Sequence, residues 1–156
     1  MRATLRWWIP ALALTLLGAA EPEKGAWTLT KLQGGGCRLD SEKASLSDGY
    51  QNTTAQVQVT PSEVRVVSES TFDGSKGDLL IQVDKHDGVK ADGLDGAKAI
   101  VFKTGAQTLI AQFRAGLKGT VQMRFWPTWP ETGTHSVVIS LIGFTKAWEE
   151  LQASCH

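Results

Sequence analysis

No segment of this chain is basic enough to seek nucleic acid. Its 16 Lys and Arg residues are matched by 16 Asp and Glu, whereas a nucleic-acid face needs a basic cluster. The same balance argues against electrostatic attraction to anionic lipid. Cysteine is scarce: there are two, with no CxxC pair and no Cys/His cluster. That removes thioredoxin-type redox chemistry and a structural zinc site. The histidines number three, His86, His135 and His156. A hydrolytic set drawn from His135, Ser136 and an aspartate fails on alternation, because adjacent strand residues point to opposite faces. No GxSxG elbow accompanies it. The glycine run at 34–36 precedes Cys37 rather than joining a strand to a helix, so it is no phosphate-binding loop. No cofactor is expected.

Long apolar runs are also missing. The only candidate, "WWIPALALTLLG", is interrupted by Pro10 and falls short of the roughly 20 residues a bilayer span requires. What it fits is a secretory signal. Arg2 and Arg6 supply a positive start, and Gly18 and Ala20 are the small residues before a cut after Ala20. Residues 1–20 are thus expected to be removed, leaving 21–156 as a single domain. Loss of Arg2 and Arg6 leaves 14 basic against 16 acidic residues, a net charge near −2. The expected location is periplasmic or secreted, with no membrane span after cleavage.

In an exported chain an even cysteine count points to a disulfide, here between Cys37 and Cys155. Two free thiols or an intermolecular bridge are the competing readings. An internal bridge over so long a loop contributes about 4–5 kcal/mol in the chain-entropy account.

What the sequence does have is short alternating strands. "WTLTKL" places Trp27, Leu29 and Lys31 on one face, and "AQVQVT" sets Val57 and Val59 against Gln56 and Gln58. In "PSEVRVVSES" Pro61 opens a turn before Val64 and Val66, and "DLLIQVD" aligns Leu79, Ile81 and Val83. "KAIVFKTGAQTLIAQF" reads as a hairpin about Lys103-Thr104-Gly105. "GTVQMRFW" and "HSVVISL" follow. Asp-Gly pairs at 48–49, 73–74, 87–88, 92–93 and 95–96 mark turns. The predicted fold is all-β, a sandwich or barrel of about seven or eight strands.

One helix closes the chain. In "GFTKAWEELQASC" Phe144, Ala147, Trp148, Leu151 and Cys155 share a face, while Lys146, Glu149, Glu150 and Gln152 point away.

Two stretches are candidates for function. Asp84, Asp87, Asp92 and Asp95 crowd into "VDKHDGVKADGLDG", and oxygen-rich loops can hold calcium. Their spacing does not match an EF-hand, and Lys85, Lys90 and Lys98 offset the charge, so a solvated turn-rich loop is the better reading. "NTT" at 52–54 fits a glycosylation acceptor in outline, but Asn52 reads more simply as the end of a turn.

The other stretch is "FWPTWPETG", residues 125–133. Alternation puts Val121, Met123 and Phe125 in the core and turns Trp126 outward. Trp126 and Trp129, stiffened by Pro127 and Pro130, are the candidate binding residues. Preorganised aromatic rings anchor protein interfaces and stack on sugars. The alternative is that both rings plug the end of the β-domain.

In the last third, "FRAGLKGTVQMRF" followed by "VVISLIGFTKAWEEL" resembles the invasion-associated locus B family of exported bacterial proteins. The shared parts are Arg114-Ala115-Gly116, a strand, and Ser140-Leu141-x-Gly143-Phe144-x-x-Ala147 leading into the final helix. "GAWTLTKLQGGGCRL" matches the family's opening in outline. The resemblance implies a small β-rich envelope protein with no established enzymatic activity and a protein partner. It also implies structural roles for Gly143, at the turn into the helix, and Phe144, its first core contact. A second cysteine pair common in the family is absent, and the connection at "WPTWPETG" is longer and more aromatic. The expectation is therefore a binding or accessory protein of the envelope. A calcium-dependent enzyme and a purely structural periplasmic protein are the alternatives.

Overall fold

A computed structural model describes residues 26–127 and 133–155. The signal-like segment 1–20, Trp129 and His156 lie outside the described residues. Strands β1 (Trp27–Lys31), β2 (Cys37–Ser41), β3 (Ala44–Ser47), β4 (Asn52–Thr60) and β5 (Glu63–Ser68) come first. They are followed by β6 (Leu80–Val83), β7 (Val89–Lys90), β8 (Gly93–Leu94) and β9 (Ala99–Phe102). Helix α1 (Ala106–Ala115), β10 (Lys118–Met123), β11 (His135–Ser140) and α2 (Phe144–Ser154) complete the chain.

Among the described residues all strand pairings are antiparallel, and they form two sheets. The larger runs β1-β2-β4-β5-β9-β8, with β3 pairing β4 beside β2, and the smaller runs β11-β10-β6-β7. Neither sheet closes on itself, so the arrangement is a sandwich rather than a closed barrel. The count exceeds the expected seven or eight because short pieces join the ladders. β7 and β8 have two residues each.

The period-2 signal explains the inner faces. Val57 and Val59 of β4, Val64 and Val66 of β5, Ile81 and Val83 of β6, and Val121 and Met123 of β10 are all buried in one core. Each such side chain contributes about 1.5–3 kcal/mol relative to exposure. Lys31 departs from the expected face: it sits at the end of β1 and is exposed.

The expected hairpin over 98–113 is not formed. Only Ala99–Phe102 is a strand, and the chain then turns into α1. The reason lies in Ala106, Leu109, Ile110 and Phe113, which recur at three- and four-residue steps and are the buried residues of that helix. Gly105, read as the hairpin turn, is its N-cap.

Helix α2 buries Phe144, Ala147, Trp148 and Leu151 as the sequence predicts. Gly143 precedes it at φ 84°, a left-handed conformation in which glycine carries no Cβ penalty. The two helices pack on each other, α2 also covering β1 and β2. Trp27 meets Phe144 edge-on, with centroids 4.9 Å apart, and Phe113 meets Phe144 likewise at 5.4 Å. The buried indole of Trp27 has its polar end satisfied, because Nε1 donates to the Ser140 carbonyl at 3.0 Å. Cys37 and Cys155 are joined by a disulfide with Cα atoms 5.7 Å apart. It ties the end of α2 to the first residue of β2. Disulfides persist in oxidising compartments, so this bond points to a location outside the cytoplasm.

Candidate functional site

Phe125 and Trp126 separate as alternation requires. Phe125 is buried and stacks on Phe72 at 5.3 Å, whereas Trp126 is 65% exposed. The backbone fixes this orientation. Phe72 and Phe125 form an isolated antiparallel bridge, the Trp126 amide donates to Thr71 O at 2.8 Å, and the Asp73 amide donates to Arg124 O at 2.8 Å. Segment 124–126 is thereby held to segment 71–73 as a short ribbon.

A third group joins the surface. Tyr50 is 59% exposed, and its hydroxyl donates to the Pro127 carbonyl at 3.3 Å. Tyr50 is thus tied to the backbone of the residue that follows Trp126, from a position far away in sequence. Tyr50 escapes sequence reasoning because nothing local pairs it with residue 127. The only hint is its place in Asp48-Gly49-Tyr50, a turn that must expose whatever it carries. Trp129 belongs to a segment outside the described residues.

The Tyr50 turn is built on a buried acid. Asp48 Oδ1 accepts from the Tyr50 and Gln51 amides, each at 2.8 Å. Its Oδ2 accepts from the Ser70 hydroxyl at 2.6 Å. Asp48 and Ser70 are both buried. Burial pushes the Asp48 carboxyl up, but the donations from Ser70, Gln51 and Tyr50 together outweigh it and hold the carboxyl below the ordinary aspartate value. Ser70 precedes Thr71, the residue that receives the Trp126 amide. Asp48 therefore anchors both halves of the aromatic surface to one element.

The aspartate-rich stretch is dispersed rather than gathered. Asp84, at φ 46°, accepts from the Leu117 and Lys118 amides at 3.0 and 3.1 Å. Asp92 accepts from the Lys103 and Thr104 amides ahead of α1. The Thr104 hydroxyl and these amides hold its carboxyl below the ordinary value. Asp95 pairs with Arg65. Among the described residues no three His, Cys, Asp or Glu side chains converge on a metal position. Asp84 and Asp92 serve as acceptors for backbone amides, and Asp95 as the partner of a guanidinium.

His135 and Ser136 do not assemble a catalytic set. His135 turns its ring edge-on to Phe125 at 5.5 Å, while Ser136 faces solvent. His86 sits exposed in the loop after β6, its carbonyl accepting from Gln82 Nε2. A groove of about 210 Å³ on the outer face of the larger sheet is lined by Leu32, Arg38, Gln58, Thr60, Glu63 and Arg65. Its guanidinium groups are already engaged, Arg38 with Asp40 and Arg65 with Glu63 and Asp95. It therefore offers no unpaired cation to an anionic ligand.

No known protein-family model matches this sequence, and neither does any curated protein sequence. Among solved structures the chain is similar to the crystal structure of invasion associated protein B from Bartonella henselae. The likeness covers 86% of this chain and 97% of that one, at 19% identity and a TM-score of 0.58. At that identity the likeness concerns the fold, and the resemblance read from "SLIGFTKA" is matched by a three-dimensional one: the chain has an invasion associated protein B-like fold.

Proposed function

We propose that the chain is an exported binding or accessory protein of the bacterial envelope, which captures a protein partner through an aromatic surface. Tyr50 and Trp126 carry the contact, and Trp129, three residues on, extends it. The observation behind this reading is the exposure of both rings, with Tyr50 hydrogen-bonded to the carbonyl of the residue next to Trp126. Exposed aromatic rings anchor many protein contacts, and rigid rings lose little entropy on binding. The envelope setting is supported by the signal-like residues 1–20, by the Cys37–Cys155 bond, and by the fold shared with invasion associated protein B.

The test compares wild type with Tyr50→Ala, Trp126→Ala and the double variant in pull-downs from envelope extract, each checked by thermal melting. The double variant is expected to keep its melting temperature and lose the captured protein. Capture of the same protein by a folded double variant would overturn the reading.

A further inference from the structure

The cations of this chain are unevenly engaged. Arg38, Arg65 and Arg124 each hold a carboxylate, and Lys103 reaches Glu63. Lys85, Arg114, Lys118 and Lys146 are all exposed and, among the described residues, form no ion pair. Hydrogen bonds gather their segments at one end of β10. The Asp84 carboxylate accepts from the Leu117 and Lys118 amides, which ties the residue before Lys85 to the start of that strand. The Thr145 hydroxyl donates to Arg114 O at 2.7 Å, which ties the start of α2, with Lys146, to the end of α1.

Two large apolar side chains stand at the same end, Leu117 at 70% exposure and Ile142 at 56%. Leu117 lies between α1 and β10, and Ile142 between β11 and α2. The Leu141 amide donates to Leu117 O at 2.9 Å, so both flank one backbone bond. Single exposed apolar residues are ordinary, but this pair is set among segments that carry four unpaired cations. The acids of the neighbouring loop are Asp84, already taken up by amides, and Asp87. Glu149 and Glu150 lie a turn further along α2. Near-zero net charge hides this local excess.

We propose that this end of the molecule rests on a membrane surface rich in anionic phospholipid. Leu117 and Ile142 enter the boundary between headgroups and acyl chains, while Lys85, Arg114, Lys118 and Lys146 meet the lipid phosphates. The chemistry favours lipid over a protein partner. Protein interfaces are poor in lysine and anchored by aromatic rings, and the exposed large side chains here are aliphatic. Lysine suits a membrane surface because its stem lies along apolar material while the ammonium stays in water. The contact is peripheral and reversible, since two aliphatic side chains hold a protein to lipid only with the help of charge. Trp126 lies beyond the other end of β10, so this surface is independent of the aromatic one.

Residues 21–156, oxidised, contain the whole described fold, and without the apolar segment 1–20 any lipid binding is the domain's own. Co-sedimentation with vesicles of phosphatidylcholine, alone or mixed with phosphatidylglycerol, tests the proposal. Binding is expected only with the anionic lipid and should weaken as salt rises. Each cation near such a surface contributes about fivefold, so Lys118→Gln with Lys146→Gln should bind about 25-fold more weakly. Leu117→Ser with Ile142→Ser should weaken binding by about tenfold or more. All four side chains are exposed, so melting temperatures stay unchanged. Trp126→Ala should bind vesicles as wild type does. The proposal is overturned if anionic vesicles capture nothing, if either pair of substitutions leaves binding intact, or if Trp126→Ala abolishes it. Displacement by polyglutamate, with the Leu117 and Ile142 variant binding fully, would mean an acidic polymer and overturn it too.

Discussion

The Ser70 hydroxyl donates to Asp48 Oδ2 at 2.6 Å across 22 positions of sequence. Through that bond the turn carrying Tyr50 and the segment receiving Trp126 become a single unit. Binding energy at an aromatic surface depends on the rings being ordered beforehand, so a residue touching no partner can set affinity.

Replacing Asp48 with Asn is expected to cost about 2–3 kcal/mol, because a buried carboxylate with three donors gives way to a group that carries its own N–H donors. Ser70→Ala should cost about 1–2 kcal/mol. The double variant should cost less than the sum of the two, since both act on one bond. Urea unfolding at constant m-value measures all three.

The Asp48 carboxyl also fixes a pH dependence. Its folded-state pKa lies below the unfolded one, so its stabilisation is fully present above the ordinary aspartate value of about 4. It is lost as pH falls through the lowered value. The gap in stability between wild type and Asp48→Asn should hold steady at neutral pH and narrow in acid. A gap that widens in acid would contradict the arrangement.

Adjacent residues 125 and 126 should behave in opposite ways. Phe125→Ala removes a buried ring stacked on Phe72 and should cost about 3–5 kcal/mol. Trp126→Ala should change stability by less than about 0.5 kcal/mol. If Trp126 instead proves as costly as Phe125, its ring is structural.

Asp84→Ala should destabilise by about 0.5–1.5 kcal/mol, since the exposed Leu117 and Lys118 amides exchange their acceptor for water. Calcium titration of the wild-type melting temperature should give no shift. A calcium-dependent rise would revive a metal role for the loop.

Local periodicity made much of this fold legible. Val57/Val59, Val64/Val66 and Ile81/Val83 announced their strands, and Phe144, Ala147, Trp148 and Leu151 announced α2. Helix α1 was legible too, in the spacing of Ala106, Leu109, Ile110 and Phe113. It was masked because Gly105, after a β-branched strand, serves as well for a hairpin turn as for a helix start. The partner of Trp126 was not legible. Tyr50 and Pro127 meet only because β3, β4 and the 70–73 segment fold between them, and no short-range pattern encodes that meeting. Asp48 read as one more Asp-Gly turn, since burial of a carboxylate depends on which hydroxyl arrives from elsewhere.

The Cys37–Cys155 bond has a mechanical meaning as well. A pull applied behind residue 155 is delivered through sulfur to the start of β2, which lies between β1 and β4 and is held by hydrogen bonds on both sides. With the pull opposed at the start of the chain, residues 38–154, α2 among them, are bypassed, and the load falls on the ladder that joins β1 to β2. Whatever the last residues are tied to, the strain falls on the strands and the final helix stays wound.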